Sequence, residues 1–491
     1  MKEQNLQTEI HLNQITFFLN GKQITEDVPA GISTLDWLHA KKQMFGTKCS
    51  CNEGDCGACT VVIAYPFEGI ITYRAINSCL YPAAKLHGKH LITIEGLGTP
   101  ENLHPIQQTL LKYHSLQCGY CTPGFVMSLF ALLAMNSHPD QETILAALEG
   151  NLCRCGTYNS ILKAAQELSA KFSPSEIVPE WCRNTEQDLY SFNETDTMFF
   201  TKTDIPQQVN CYLFPKTMKQ LFDFYAEHPD ANFIAGGTDI MVQKNIDHKV
   251  FPVLIDITNL PELNRLYLRQ DGLHIGSAVT YQQLYESGIV KTDYPVLHKL
   301  LAQIASQQIR NLGTLGGNIA NASPVGDTLP LLLVLGTSLW LQSALEIRQI
   351  SFKDFFVSYR KTALNKGEII KEIIIPPVKS NSYIKFTKTS KSKSVDISSV
   401  ITAVKIEYNE DFIINAALAL GGVSALPMLS QKFTELLTGK KLSTINIDSV
   451  ISEVEKEFEP LTDIRGTALY RKKLIQNHIL LYFQELQKEE K

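Results

Sequence analysis

Gly46-Thr47-Lys48-Cys49-Ser50-Cys51-Asn52-Glu53-Gly54-Asp55-Cys56-Gly57-Ala58-Cys59-Thr60 is the stretch on which the fold turns. Cys51, Cys56 and Cys59 stand at the C-x4-C-x2-C spacing by which a single loop delivers three thiolates to a plant-type [2Fe–2S] cluster. Gly54 and Gly57 permit the tight positive-φ turns such a loop needs and leave backbone N–H groups free to face the sulfurs. Cys79 is the distant fourth ligand. A zinc site would more commonly pair its cysteines as two C-x2–4-C knuckles. Here one such pair has a third cysteine further upstream, which favours the cluster. Cys49 lies outside the spacing and is read as a non-ligand.

Outward from this loop the chain reads as a small α+β unit. Ile15, Phe17 and Leu19 alternate, and Asn20-Gly21 is a strong two-residue hairpin turn, so Ile15–Val28 is expected to form a hairpin. Ser33 or Thr34 caps a helix whose Leu35, Trp37 and Leu38 face inward. Strands follow at Thr60–Ala64, Ile70–Arg74 and Leu91–Glu95. Hairpin, helix and further strands make one unit over residues 10–96, with the cysteine loop on its rim.

Residues 97–172 read as helical. His104–His114, Pro123–Asn136, Glu142–Leu148 and Asn159–Lys171 have helical spacing or good caps, and Thr122-Pro123 marks a helix start. Four helices imply a small bundle. It carries a second cysteine set, Cys118 and Cys121 in Gln117-Cys118-Gly119-Tyr120-Cys121-Thr122-Pro123-Gly124, with Cys153 and Cys155 in Asn151-Leu152-Cys153-Arg154-Cys155-Gly156. Both pairs precede helices, whose free N–H groups and positive dipole ends favour thiolates. Spacing alone leaves zinc and an iron–sulfur cluster both open here.

Nine of the eleven cysteines fall before residue 156, and such clustering points to metal rather than disulfides in a reducing compartment. The chain has 491 residues, 44% of them apolar, enough for several cored domains. A net charge of -5 argues against nucleic acid as the partner. The polar opening Met1–Asn5 leads to no apolar leader. The longest apolar run, Phe125–Met135, is shorter than the ~20 residues a bilayer span requires. The expectation is a cytoplasmic protein that contacts no membrane.

Residues 173–209 are polar with scattered prolines and read as linker. Residues 210–380 then take α/β character, and 381–491 form an α+β segment that ends in a charged helix. Two glycine-rich segments stand out. Phe233-Ile234-Ala235-Gly236-Gly237-Thr238-Asp239-Ile240 places a glycine pair after a strand, where backbone N–H groups can approach a diphosphate. Gln308–Asp327 is too rich in glycine for an ordinary element, and its Asn, Ser and Asp residues suit a polar cofactor. Neither segment is a Rossmann G-x-G-x-x-G.

The segments GTKCSCNEGDCGACTV, QCGYCTPG and GNLCRCG together resemble the iron–sulfur part of the molybdenum hydroxylases, the xanthine dehydrogenase and aldehyde oxidase family. The glycine-rich segments resemble that family's FAD domain, of the vanillyl-alcohol-oxidase type. The resemblance implies a β-grasp, ferredoxin-like domain over residues 10–96 with one [2Fe–2S] cluster on Cys51, Cys56, Cys59 and Cys79, and a helical domain over 97–172 with another on Cys118, Cys121, Cys153 and Cys155. It implies FAD held by Phe233, Ile234, Ala235, Gly236, Gly237, Thr238, Asp239 and Ile240 together with Thr314, Leu315, Gly316, Gly317 and Asn318. Asp327 would hydrogen-bond the cofactor, Ile370 would pack on it and Lys388 would lie beside it. Ile304 stands where mammalian relatives place a phenylalanine on the flavin ring, and Gly156-Thr157-Tyr158 replaces the usual Thr-Gly-Tyr of xanthine dehydrogenases. Read from the residues alone, Ile370 is equally a core strand position and Lys388 a solvated lysine.

In this family the substrate is oxidised at a molybdenum–pterin centre in a separate, larger domain, for which a chain ending at Lys491 has no room. The resemblance therefore implies an electron-transfer subunit beside a molybdenum-binding large subunit, within a higher heteromer. Electrons would pass through the two clusters to FAD and on to NAD or another acceptor, with no substrate-hydroxylating residue on this chain. The partner is expected near Cys118 and Cys153. A self-contained iron–sulfur flavoenzyme, the equivalent subunit of an aldehyde or N-heterocycle dehydrogenase, and a zinc-binding adaptor are the competing readings.

Overall fold

The computed structural model describes residues 14–193, 200–202 and 209–489. The chain divides into two compact units, residues 1–259 with 306–313, and residues 260–305 with 314–491.

The first unit opens on the expected hairpin, β1 (Gln14–Leu19) and β2 (Lys22–Asp27), turned by Asn20 and Gly21 at positive φ. Ser33 caps α1 (Thr34–Lys42) by accepting from Asp36 N–H. β3 (Thr60–Phe67), β4 (Ile70–Asn77) and β5 (His90–Ile92) complete a mixed sheet of order β2-β1-β5-β3-β4. β1 and β5 pair in parallel, while the other neighbours are antiparallel. Trp37 and Leu38 of α1 are fully buried and join Ile15, Phe17 and Leu91 in the core beneath. This is the β-grasp arrangement. The last strand ends sooner than expected, because Ile94–Leu97 turns into a helix.

Four helices follow, α2 (Pro105–Lys112), α3 (Thr122–Met135), α4 (Gln141–Leu148) and α5 (Tyr158–Lys171). α3 is apolar on every face, so it belongs at the centre of a bundle. It is buried from Gly124 to Ala134, packed against Val62 and Tyr73 of the sheet as well as against its neighbouring helices. The polar stretch read as linker is partly structured. Pro174–Ile177, Glu180–Arg183 and Glu186–Asn193 are helical, the first closed by a capping box between Ser173 and Glu176. Most of the remaining linker expectation, 194–199 and 203–208, lies outside the described residues.

The unit ends in short parallel strands. Cys211–Leu213 and Asn232–Ile234 flank Val253–Asp256, with Phe200–Lys202 antiparallel at the edge. The second unit has an antiparallel five-stranded sheet built from Leu266–Arg269, Gly272–Gly276, Ile369–Ile375, Ser338–Gln342 and Ile347–Ser351 in spatial order. Its C-terminal part is an antiparallel sheet of Ser382–Thr389, Val400–Asn409, Phe412–Gly421 and Met428–Leu429, with the helix Ala468–Glu489 packed on it. The whole is a multidomain α+β protein.

Candidate iron–sulfur and flavin sites

The cysteines of the first set meet in twos. Cys59 and Cys79 are buried, their sulfurs 3.3 Å apart, and Cys51 and Cys56 are in side-chain contact. Contact with Cys56 and the N–H groups of Glu53, Cys56 and Asp55 hold the Cys51 thiol down at about 5. The Cys59 thiol is likewise lowered, by Cys79 first, while the partners Cys56 and Cys79 are raised. Gly54 and Gly57 adopt the positive φ expected of them, and Gly54 N–H faces the Cys79 sulfur. The loop thus offers two thiol pairs and a set of backbone donors suited to anionic sulfur.

The second set repeats this pattern. Cys118 contacts Cys155 and Cys121 contacts Cys153. Burial and Cys153 push Cys121 up to about 12. Against its own burial, Cys153 is lowered to about 7 by hydrogen bonds from Thr157 and by Cys121. Cys121 immediately precedes α3, and Cys153 N–H donates to the hydroxyl oxygen of Tyr158, the first residue of α5, at 2.7 Å. Cys118 and Cys155 are exposed.

Among the described residues no three His, Cys, Asp or Glu side chains converge as one metal ion would require. Thiols arranged as two pairs suit a two-iron cluster with four thiolates better than a tetrahedral zinc ion. Cys49 is exposed, and burial together with nearby Cys59 raises its thiol.

The two loops are joined by contacts that spacing could not reveal. Leu152 N–H donates to Cys56 C=O at 3.0 Å, and the Tyr120 hydroxyl donates to Cys49 C=O. Buried Asn151 donates to Gly57 C=O at 3.0 Å and to Thr60 Oγ1 at 3.2 Å. Its carbonyl oxygen accepts from Ser128 at 2.6 Å and from Gln308 at 3.1 Å. A Cβ on Gly57 would lie 2.2 Å from Gly150 O, so only glycine lets the loops approach this closely.

The segment 233–240 lies in the first unit. Ile234 is a buried strand residue, and Phe233 stacks on Tyr225. Gly236 is pressed against the Leu312–Gly313 backbone, where a Cβ would come 1.9 Å from Leu312 O. Gly237 has φ +80. Neither glycine N–H has a hydrogen-bond partner among the described residues. Buried, side-chain-free N–H donors of this kind suit a diphosphate. The helix that follows, Ile240–Asn245, returns to the first cysteine set. Asn245 donates to Cys79 C=O at 2.9 Å and to Asn52 C=O at 3.1 Å, and Met241 packs with Leu35, Cys59, Cys79 and Leu80. Asn245 lies outside every motif, and spacing assigns no role to Asn151, Gln308 or Tyr120 within theirs.

The other expected flavin residues lie in the second unit. Thr314 caps the helix Leu315–Asn321 by accepting from Gly317 N–H, and Gly316 packs on Ser277, whose buried hydroxyl has no partner among the described residues. Asn318 accepts from Thr328 at 2.7 Å. Lys388 is not solvated. It is buried, 2.8 Å from Asp327 Oδ2 and 2.9 Å from Gln303 C=O, while Ser398 donates to Asp327 Oδ1. Ile370 is buried in the sheet core and Ile304 lies in the same core.

Two sets of paired cysteines and two glycine-rich segments on one chain suit an iron–sulfur flavoprotein. Four family models match consecutive stretches: a 2Fe-2S iron-sulfur cluster binding domain at 17–73, a [2Fe-2S] binding domain at 93–166, the FAD binding domain in molybdopterin dehydrogenase at 206–378, and the CO dehydrogenase flavoprotein C-terminal domain at 385–486. Xanthine dehydrogenase of Oryza sativa is 31% identical over 510 residues, covering 90% of this chain and 37% of its own. Xanthine dehydrogenase/oxidase of Rattus norvegicus is 29% identical over 498 residues, covering 92% and 37%. The chain thus spans under two fifths of the length of these two relatives. Among solved structures, quinoline 2-oxidoreductase of Pseudomonas putida 86 matches at 27% identity and TM-score 0.51 over 56% of this chain and 96% of that one. CO dehydrogenase of Oligotropha carboxidovorans shares the fold at 24% identity and TM-score 0.52, over 54% and 93%. The chain belongs to the molybdenum hydroxylase family of the xanthine and CO dehydrogenases, and comprises its iron–sulfur and flavin domains.

Proposed function

We propose that this chain is the electron-transfer component of a xanthine dehydrogenase, working beside a molybdenum-binding large subunit that hydroxylates a purine. When bound, the clusters carry single electrons and the flavin collects two, for delivery to NAD or another acceptor. The chain's own residues hold these groups. Cys51, Cys56, Cys59 and Cys79 are the ligands of one cluster, Cys118, Cys121, Cys153 and Cys155 those of the other. Residues 233–240 and Thr314–Asn318 bind FAD, with Asp327, Ile370 and Lys388 in its surroundings. The observation that carries the reading is the Leu152–Cys56 hydrogen bond, which joins the two cysteine loops directly, while Asn245 ties the first of them to the helix after Gly236-Gly237. The partner surface is placed around the exposed Cys118 and Cys155, where Tyr120, Leu152 and Tyr158 are also about half exposed. Exposed apolar side chains grouped in this way are a feature of interfaces. The protein is assigned to the cytoplasm, in a higher heteromer.

The deciding experiment is metal analysis of the complex isolated from native extracts. Molybdenum in a co-purifying larger subunit supports the proposal, and a chain that purifies without such a partner refutes it. A second reading, the same role in a dehydrogenase of another N-heterocycle, is favoured by the likeness to quinoline 2-oxidoreductase. Bleaching of the visible bands by xanthine or by quinoline, tested separately on the native complex, chooses between them.

A further inference from the structure

Lys85 lies six residues beyond Cys79, on the iron–sulfur side of the first unit, and its side chain is only 6% exposed. All three of its N–H bonds find acceptors: Ala235 C=O at 2.7 Å, Thr258 Oγ1 at 2.8 Å and Asp256 Oδ2 at 3.1 Å. Thr258 also donates to Ala235 C=O, at 3.0 Å. The carboxylate is fixed in turn, accepting from the Tyr212 hydroxyl at 2.7 Å and from Thr258 N–H at 2.8 Å. A buried ammonium held this way is costly unless its partners are exact in place, and here two of its three contacts converge on one backbone carbonyl or its donor.

That carbonyl belongs to the peptide joining Ala235 to Gly236. In a trans peptide the C=O and the N–H point in opposite directions. Pinning Ala235 C=O onto Lys85 therefore turns Gly236 N–H away from the lysine, and this N–H and that of Gly237 have no partner among the described residues. We propose that Lys85 is a positioning residue for the flavin diphosphate, fixing the peptide plane that aims Gly236 N–H at it. The inference rests on the reading of residues 233–240 as the diphosphate loop.

The test uses the full chain, stripped of flavin and refilled with FAD. Lys85→Met is expected to weaken FAD binding by about tenfold or more, the scale of one charge-assisted hydrogen bond. The 31P resonances of the bound diphosphate should move toward those of free FAD, with the visible circular dichroism of the iron–sulfur clusters unchanged. Lys219→Met, which removes an exposed lysine of the same unit paired only with Asp223, should change neither. If Lys85→Met leaves the buried Asp256 unpaired and misfolds, Lys85→Met/Asp256→Asn removes that charge and carries the same expectation. Unchanged affinity, or a loss of affinity with the 31P resonances unmoved, overturns the proposal. Hydrogen exchange at the Gly236 and Gly237 amides of the parent chain separates the two readings. If FAD does not slow it, the loop assignment itself falls; if FAD slows it while Lys85→Met binds FAD as tightly as the parent, only the role of Lys85 falls.

Discussion

Leu152 gives its backbone N–H to the carbonyl of Cys56 at 3.0 Å, so the residue before Cys153 in one cysteine loop is bonded to a cysteine of the other. Covalent bonds and this single hydrogen bond connect the Cys153 sulfur to the Cys56 sulfur. The side chain of Asn151 braces the junction with two donated and two accepted hydrogen bonds, all buried. Asn151→Ala leaves several of these groups unsatisfied. It is expected to cost about 2–4 kcal/mol of stability and to alter the magnetic coupling between the two reduced clusters. Denaturant unfolding and electron paramagnetic resonance check the two effects. Unchanged coupling would remove Asn151 from the junction.

The pairing of thiols sets the expected outcome of cysteine substitution. Cys79→Ser should remove one cluster and Cys155→Ser the other, each lowering iron from about four to about two atoms per chain. Cys49→Ser should leave iron at about four. Iron analysis with visible circular dichroism reads this directly, and loss of iron in Cys49→Ser would reassign the ligands.

The grouping of Cys51, Cys56 and Cys59 in one loop could be anticipated because loop spacing is local and survives in the sequence. The hairpin, α1 and the four helices of the bundle were legible for the same reason, through turn and cap residues. The supports of the sites were not. Asn151 meets Gly57 across 94 residues, Gln308 meets Asn151 across 157, and Lys85 meets Ala235 across 150. No periodicity records such contacts. The helices between Pro174 and Asn193 were hidden for a different reason: they are short and polar, and the Ser173–Glu176 capping box that starts them looks like linker composition.

Lys388 and Asp327 form a buried ion pair, so removing one partner strands the other. Lys388→Met is expected to destabilise the protein by about 3–5 kcal/mol, and Lys388→Met/Asp327→Asn to recover much of that loss. Urea unfolding of the single and double variants measures it. Equal stability of Lys388→Met and the parent protein would mean that the pair contributes nothing.

Burial lowers His478 to about 4; its ring nitrogens lie 3.0 Å from Thr402 Oγ1 and 2.9 Å from Thr389 Oγ1. Since the unfolded imidazole titrates near ~6.5, the unfolded state takes up the proton first as pH falls. Stability is therefore intact above about 6.5 and declines toward about 4, by at most ~1.4 kcal/mol per pH unit from this group. His478→Gln should flatten the decline in urea midpoint over that window. An identical pH profile in the variant would assign the acid sensitivity to other groups.

Glycine positions give the sharpest contrast. Gly57, Gly119 and Gly156 all have φ between +65 and +84, so alanine strains the backbone at each by a similar amount, on the order of 1 kcal/mol. They differ in what the added Cβ would meet. At Gly119 and Gly156 nothing lies within 4 Å, whereas at Gly57 the Cβ would sit 2.2 Å from Gly150 O and 2.6 Å from Asn151 Nδ2. Relief requires the two cysteine loops to part, which would lengthen the Leu152–Cys56 hydrogen bond as well. Gly57→Ala should therefore lower the melting temperature more than Gly119→Ala or Gly156→Ala, and it alone should weaken the magnetic coupling between clusters. If all three variants lose the same stability and keep the parent coupling, the close approach of the loops at Gly57 has no part in joining them.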